Sequence, residues 1–466
     1  MLPVLHNCSL NRLWLRRAGW ALILTTLVAC QTPEPEPLPP PVELPLQFGP
    51  TESESSWVAR LSDPNLQALV EEAWQQSPGL RQMAAQLEAA RAEARRAGSV
   101  LQPQLGVNAE ASRQDTPIAE GFRIRESRYT LSGQASWEPD LWGRNRAARD
   151  AAEASLRATT TDYEAARLSL AANAVLLWIE IAESEEQARL AERSRENFET
   201  SEAIVLSRFN AGLASALDLR MARTSTAAAQ HRLLLLERQR DGLKRALETL
   251  LGRYPAADLV GPQALPQLTD TPAPGLPSEL LERRPDVRAA AARYESAATA
   301  FESARRARLP SLQLTASAGS SSPQLSELVQ SGTFIWNLAA SLTAPIWDGG
   351  RLTAERNIAA AQAQQAAEAF AETALQAFRE VETGLAAADL LMLEESSLKS
   401  AVDEATAAEE LAIERYERGL IPFSTVLEAQ RQATDYQGQL LSTRAERIKN
   451  HIDLLLALGG DFLPAQ

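Results

Sequence analysis

Side chains able to do covalent or metal chemistry are scarce in this sequence of 466 residues. It holds two cysteines, at 8 and 30, and three histidines, of which only His231 and His451 follow residue 30. Cysteines so few build neither a disulfide framework nor a thiolate metal site. The strings Gly-x-x-x-x-Gly-Lys, Gly-x-Gly-x-x-Gly, Gly-x-Ser-x-Gly and His-Glu-x-x-His are all missing. With them go the usual phosphate cradle, serine nucleophile and zinc site. Neither an enzyme nor a metal or cofactor site is expected. The 60 acidic side chains outnumber the 46 basic ones, a net charge of −14. Nucleic-acid binding needs the opposite sign, so no such partner is expected. One thiol, Cys30, stands out by its place.

Arg12, Arg16 and Arg17 precede an apolar run from Ala18 to Ala29. A spanning helix needs about 20 apolar residues, so this shorter run marks residues 1–29 as an export signal. It ends in Leu27-Val28-Ala29-Cys30, which resembles a bacterial lipobox. There the thiol receives a diacylglycerol and becomes the new amino terminus; Cys8 leaves with the signal. Gln31, where an aspartate would favour retention, implies by the same resemblance sorting to the outer membrane. Residues 31–50 hold eight prolines, so 30–56 is expected to be an extended tether from the lipid.

The elements that follow come as one unit repeated 207 residues later. Pro78 and Pro285 each open a helical run, and Pro103 and Pro310 each close one. Gly143-Arg144 matches Gly350-Arg351, Gly212 matches Gly419, and Leu251-Gly252 matches Leu458-Gly459. The repeats span 57–252 and 285–460, joined by a proline-rich linker at 253–284 and followed by a tail at 461–466.

Within each repeat a first helix leads into two alternating segments. Leu105, Val107, Ala109 and Ala111, then Tyr129, Leu131, Ala135 and Trp137, fall on every second position, as do Leu312, Leu314, Ala316 and Ala318 and then Trp336, Leu338, Ala340 and Leu342. Period two over about ten residues predicts strands near 104–113, 128–137, 311–319 and 334–345. Polar loops are expected at 114–127 and 321–333. Long helices over 144–211 and 351–418 come next, free of proline and broken by one glycine, Gly384. Leu156, Tyr163, Leu170, Leu177, Ser184, Ala191 and Phe198 recur every seven residues, as do Ala363, Phe370, Ala377, Gly384, Leu391, Leu398 and Ala405. That spacing predicts coiled-coil-like packing. Gly212 and Gly419 then turn the chain into return helices at 216–250 and 423–457.

Strand pair, long helix, glycine turn and return helix, twice over behind a lipobox, resembles the TolC-like outer-membrane efflux family, in its lipoprotein branch. Residues 281–319, beginning Leu281-Glu282-Arg283-Arg284-Pro285-Asp286-Val287-Arg288, resemble the family's approach to its third strand. Leu342 to Arg351 (LTAPIWDGGR) resembles its strand-to-helix corner. Arg415-Tyr416-x-x-Gly419 and Leu427-Glu428-Ala429-Gln430 resemble its second turn and return helix.

Four strands cannot close a barrel, and lipid forbids an open edge, so copies must pool their strands. The sequence alone permits two, three or four copies. The resemblance implies three: a mainly α fold with a trimeric 12-stranded membrane β-barrel continued by an α-helical periplasmic barrel. Trp137, Trp142, Trp336 and Trp347 are expected at the membrane interface or packed at element ends. The implied function is the outer-membrane channel of a tripartite efflux system, a passive exit duct for small molecules. Its partners would be an inner-membrane transporter and a periplasmic adaptor docked at the tips that carry Arg208, Gly212, Arg415, Tyr416 and Gly419. The alternatives are a conduit for type I polypeptide secretion and a structural periplasmic coiled coil. By resemblance Asp218 and Glu428 ring the periplasmic aperture; otherwise Asp218 caps its helix and Glu428 faces solvent. The family closes its entrance with charge pairs. Here Leu420-Ile421-Pro422 follows the second turn without an arginine, leaving Arg220 or Arg223 to substitute.

Overall fold

The computed structural model describes residues 63–119, 122–268, 281–330 and 332–460. The signal, Cys30, the tether, part of the linker and the tail lie outside them. Each repeat lays down a helix, a strand pair, a long helix and a return helix. The first contains α1 (Pro64–Gln76), α2 (Pro78–Ser99), β1 (Gln104–Ala119), β2 (Phe122–Trp137), α3 (Arg144–Asn210) and α4 (Ala216–Leu250). The second contains α5 (Pro285–Arg306), β3 (Ser311–Ser322), β4 (Phe334–Thr343), α6 (Arg351–Glu417) and α7 (Phe423–Ala457). Proline opens α1, α2 and α5, where its missing N–H is an orphan anyway.

The long helices α3 and α6 have 67 residues each, roughly 100 Å at 1.5 Å per residue. Both start behind a left-handed glycine, Gly143 and Gly350. An aspartate caps each start. Asp140 accepts from the amides of Asn145 and Arg146, and Asp348 from those of Gly350 and Leu352. These amide hydrogen bonds hold the Asp348 carboxyl below its usual range. All four barrel helices stop alike: Gly212, Gly252, Gly419 and Gly459 take positive φ. In each case the next amide reaches back five residues, as Leu213 does to the Arg208 carbonyl and Leu420 to that of Arg415. These are Schellman motifs, which need a residue without a Cβ. At Gly252 an added Cβ would sit 2.6 Å from the Gln76 carbonyl.

The seven-residue grid is only half the packed seam of α3. In its first half Ala147, Ala151, Ala154, Ala158 and Thr161 are buried, whereas Leu156 and Tyr163 are only partly covered. From Ser184 the grid itself is buried, through Ala191 and Phe198 to Val205. The stripe changes position because the partners change: α5 flanks the start of α3, while α4 and α7 flank its end. Leucine frequency disguised this, because alanine lines the tighter contact. The changeover holds the main core, where Val175, Ile179 and Ile181 meet Leu66, Leu247, Leu251 and Ile452. The apolar stretch of α3 is thus a packed core helix. In α6, Gly384 lets α7 approach: a Cβ there would lie 3.2 Å from Leu454 Cδ1.

The four strands form one antiparallel sheet in the order β1-β2-β3-β4. Its register places every alternating set on one face. Leu105 opposes Ala135, Ala135 opposes Ala316, and Ala316 opposes Leu338. The other face carries Asn108, Ser132, Gln134, Ser317 and Asn337. Among the described residues nothing covers the apolar face: Leu105 is 82% exposed and Trp336 73%. One expectation is corrected here. Residues 114–119 and 122–127 are strand, not loop, since β1 and β2 stay paired to Ala119 and Phe122. The polarity that suggests a loop belongs to cross-strand charge pairs, Asp115 bonding Arg123 and Arg125. In the second repeat β3 likewise extends to Ser322, and a turn of 3-10 helix (Leu325–Glu327) precedes β4.

Candidate functional site: the helical tips and the sheet

The two glycine turns lie side by side, and Arg208 joins them. Its Nη1 donates to the Glu417 carbonyl at 2.9 Å, and its guanidinium lies 4.9 Å from the centre of the Tyr416 ring. Tyr416 in turn packs on Phe423, with ring centroids 5.3 Å apart. The repeat is asymmetric at this point. Phe209 and Ala216 stand 207 residues before Tyr416 and Phe423, so the first tip lacks the ring pair, and Phe209 is 38% exposed against 7% for Tyr416. Among the described residues the buried Tyr416 hydroxyl and Arg208 Nε have no hydrogen-bond partner. Burial raises the Tyr416 hydroxyl above its usual pKa, against the pull of Arg208. Gly212 and Gly419 form the turns themselves, and Arg415 supplies the carbonyl that closes the second. Arg418 pairs with Glu414 beside it.

The acidic residues of the tips divide. Asp218 forms a capping box, its Oδ2 accepting from the Ser215 amide at 3.0 Å and hydroxyl at 2.7 Å, while its own amide donates to Ser215 Oγ at 3.1 Å. Its chain-level role is therefore the cap. Glu428 is exposed on α7, and among the described residues it is bonded only by Gln432 Nε2, at 3.4 Å. Arg223 pairs with Glu202 at 3.3 Å, across α3 and α4 of one hairpin; this pair does not bridge the two tips. Arg220 has no ion pair among the described residues.

Sequence reasoning passed over two buried polar groups, Gln430 and Arg284, and a half-buried one, Glu409. Gln430 donates to Ser201 Oγ at 3.0 Å and leaves Oε1 unpaired. Burial raises the Glu409 carboxyl near it, with Glu410 adding repulsion and Gln430 opposing. Arg284 is buried at the root of α5, bonded to Asp286 at 2.6 Å, Glu380 at 2.8 Å and the Ala457 carbonyl at 3.0 Å. Burial lowers its pKa, but these partners more than offset it. Arg284 lies in a string already singled out; its burial depends on α6 and α7, about 100 and 170 positions on.

At the corners between sheet and helices the tryptophans take two roles. The Trp137 indole donates to the Leu101 carbonyl at 3.0 Å and that of Trp142 to Pro310 at 2.6 Å, so these pack element ends. Trp336 stands on the apolar sheet face, and Trp347 is 89% exposed. An apolar sheet face, a polar reverse face and helices of about 100 Å describe a membrane barrel wall prolonged by a helical wall.

A family model for outer membrane efflux proteins matches residues 69–253 and 276–460, one span per repeat. The chain belongs to this outer membrane efflux protein family. It is 31% identical over 455 residues to the pyoverdine export outer membrane protein OpmQ of Pseudomonas putida, covering 93% of this chain and 95% of that one. It is 34% identical over 413 residues to the outer membrane protein OprJ of Pseudomonas aeruginosa, covering 87% and 86%. Among solved structures, the outer membrane protein VceC of Vibrio cholerae superposes with a TM-score of 0.83 at 27% identity, covering 87% and 99%. This efflux protein is accordingly an outer-membrane channel, with its sheet in the outer membrane and its helices in the periplasm.

Proposed function

We propose that three copies pool their sheets into a 12-stranded barrel and serve as the exit duct of a tripartite pump. The unpaired outer edges of β1 and β4 carry this reading. Edge groups of a lipid-facing strand need hydrogen-bond partners, and a second copy supplies them. The tips with Arg208, Gly212, Arg415, Tyr416 and Gly419 dock a periplasmic adaptor, which links the duct to an inner-membrane transporter. Small molecules are the cargo, in keeping with the pyoverdine and toluene named for relatives. Passage through such a duct needs no catalysis and no cofactor, and a lipid on Cys30 adds an anchor.

Glu428 lines the closed entrance in this reading, with Asp218 near it. Three copies of each would make carboxylate rings that favour cations. Reversal potentials across a salt gradient test this. Glu428→Gln is the cleaner variant, because Asp218→Asn also disturbs the α4 cap. The tip variant should lose cation preference, while Glu192→Gln with Glu196→Gln on the outer wall should not. An unchanged reversal potential in Glu428→Gln would remove the ring. For the duct itself, expression in cells lacking their own efflux channels, together with the adaptor and transporter of a related efflux system, should restore drug resistance. Failure to do so, with the protein present in the outer membrane, would count against it.

A further inference from the structure

The hairpin of β1 and β2 continues past the apolar band, and its charges sort by face. Alternation and register put Arg113, Asp115, Arg123 and Arg125 on the same side as Leu105, Val107, Ala109 and Ala111. The reverse side carries Glu110, Glu126 and Arg128, the last two paired at 3.0 Å. The outward side is therefore net positive and the reverse side net negative. Asp115 does not simply neutralise its neighbours. Its Oδ1 accepts from Arg123 Nε at 2.7 Å and its Oδ2 from Arg125 Nε at 3.1 Å. One carboxylate thus holds two guanidiniums side by side through their inner nitrogens. Apart from a long Arg123 Nη2 contact to the Asp115 carbonyl at 3.5 Å, the outer forks have no partner among the described residues, and both arginines are exposed.

Height supports an ionic role. At about 3.3 Å per residue, Arg113 lies roughly 7 Å along the strand beyond Ala111, and Asp115 with Arg125 roughly 13 Å. Allowing for strand tilt, that is the headgroup layer above a hydrocarbon core of about 30 Å. Tyr129, opposite Ala111, marks the boundary where aromatic rings collect. This end of the sheet is the one away from the helices, so it meets the outer leaflet. Guanidinium forks match phosphate oxygens two by two.

We propose that Arg113, Arg123 and Arg125, organised by Asp115 above the apolar face, bind the phosphate groups of an outer-leaflet glycolipid. The lipid's acyl chains lie on Ala109, Ala111 and Leu131, and its phosphates reach the arginine forks. The inference rests on the outer-membrane placement of the sheet but not on the tripartite reading, since no tip residue takes part.

The test is binding of bis-phosphorylated lipid A to the full-length protein in detergent, followed by native mass spectrometry of the intact assembly. Arg123→Gln with Arg125→Gln should weaken binding about ten-fold or more. Arg128→Gln, on the reverse face, should leave it unchanged. Fully dephosphorylated lipid A should bind wild type no better than it binds the double variant. Inorganic phosphate should not displace the lipid, because it lacks the acyl contacts. Arg123→Lys with Arg125→Lys keeps the charge but loses the forks, and should bind at intermediate strength. Wild-type affinity in either double variant, equal binding of the dephosphorylated lipid, or displacement by phosphate alone would overturn the proposal.

Discussion

Arg208 is the side chain that ties the two turns of one chain together, through a carbonyl of the opposite turn and the face of Tyr416. Arg208→Ala removes a charge-assisted hydrogen bond and a cation–π contact, worth about 1–2 kcal/mol at a partly covered site. In a duct closed at this end, the expected result is a larger single-channel conductance with the sheet and barrel intact; conductance equal to wild type would show that the contact does not hold the entrance. Glu409 gives a second residue-scale prediction. Its raised carboxyl binds a proton more tightly in the folded chain than in the unfolded one. That contribution is full below the ordinary carboxylate pKa and is lost as pH rises through the folded value. Glu409→Gln should therefore melt at a modestly higher temperature than wild type at pH 8, and the gap should close near pH 4. A gap independent of pH would rule out titration of this group. Arg208 stands 207 residues before Arg415, so its place at a turn was legible in the sequence. Its partner was not, because the buried Tyr416–Phe423 ring pair has no equivalent in the first copy, where Phe209 is exposed and Ala216 stands in place of Phe423.

At the scale of elements, punctuation carried the most information. Prolines at helix starts and glycines at helix ends mark a covalent fact of the backbone, and the four Schellman stops fall where Gly212, Gly252, Gly419 and Gly459 stand. Side-chain periodicity carried less. Leu156 and Tyr163 suggested a seam that the first half of α3 does not use, because alanines pack closer than leucines against α5. The polar run at 114–127 looked like a loop, since strand pairing by charged side chains leaves no apolar alternation to read. The glycine in α6 supplies the prediction at this scale. Gly384→Leu puts a branched side chain where Leu454 Cδ1 already lies within 3.2 Å of a Cβ. Overpacking of this kind costs about 1–3 kcal/mol, and the loss should appear as a lower melting temperature. Gly384→Ala should cost less, because the Leu454 side chain can shift by a few tenths of an ångström. Equal stability of the leucine variant and wild type would show that α6 and α7 do not approach there.

For the whole molecule, the decisive property is incompleteness. Among its described residues, one chain offers a sheet with two open edges and an apolar face that nothing covers. Its long helix α6 also leaves Leu390, Leu393 and Leu411 exposed. Membrane strands and exposed helix faces both call for neighbours, and lipid can satisfy only the apolar sheet face. The number of neighbours is a matter of curvature and shear, to which a single sequence gives no direct access; the family likeness supplies three. The most direct test is the mass of the detergent-solubilised assembly, corrected for bound detergent. The account predicts three chains in an elongated particle. A stable monomer, or any assembly other than a trimer, would contradict the pooled barrel and the duct built on it.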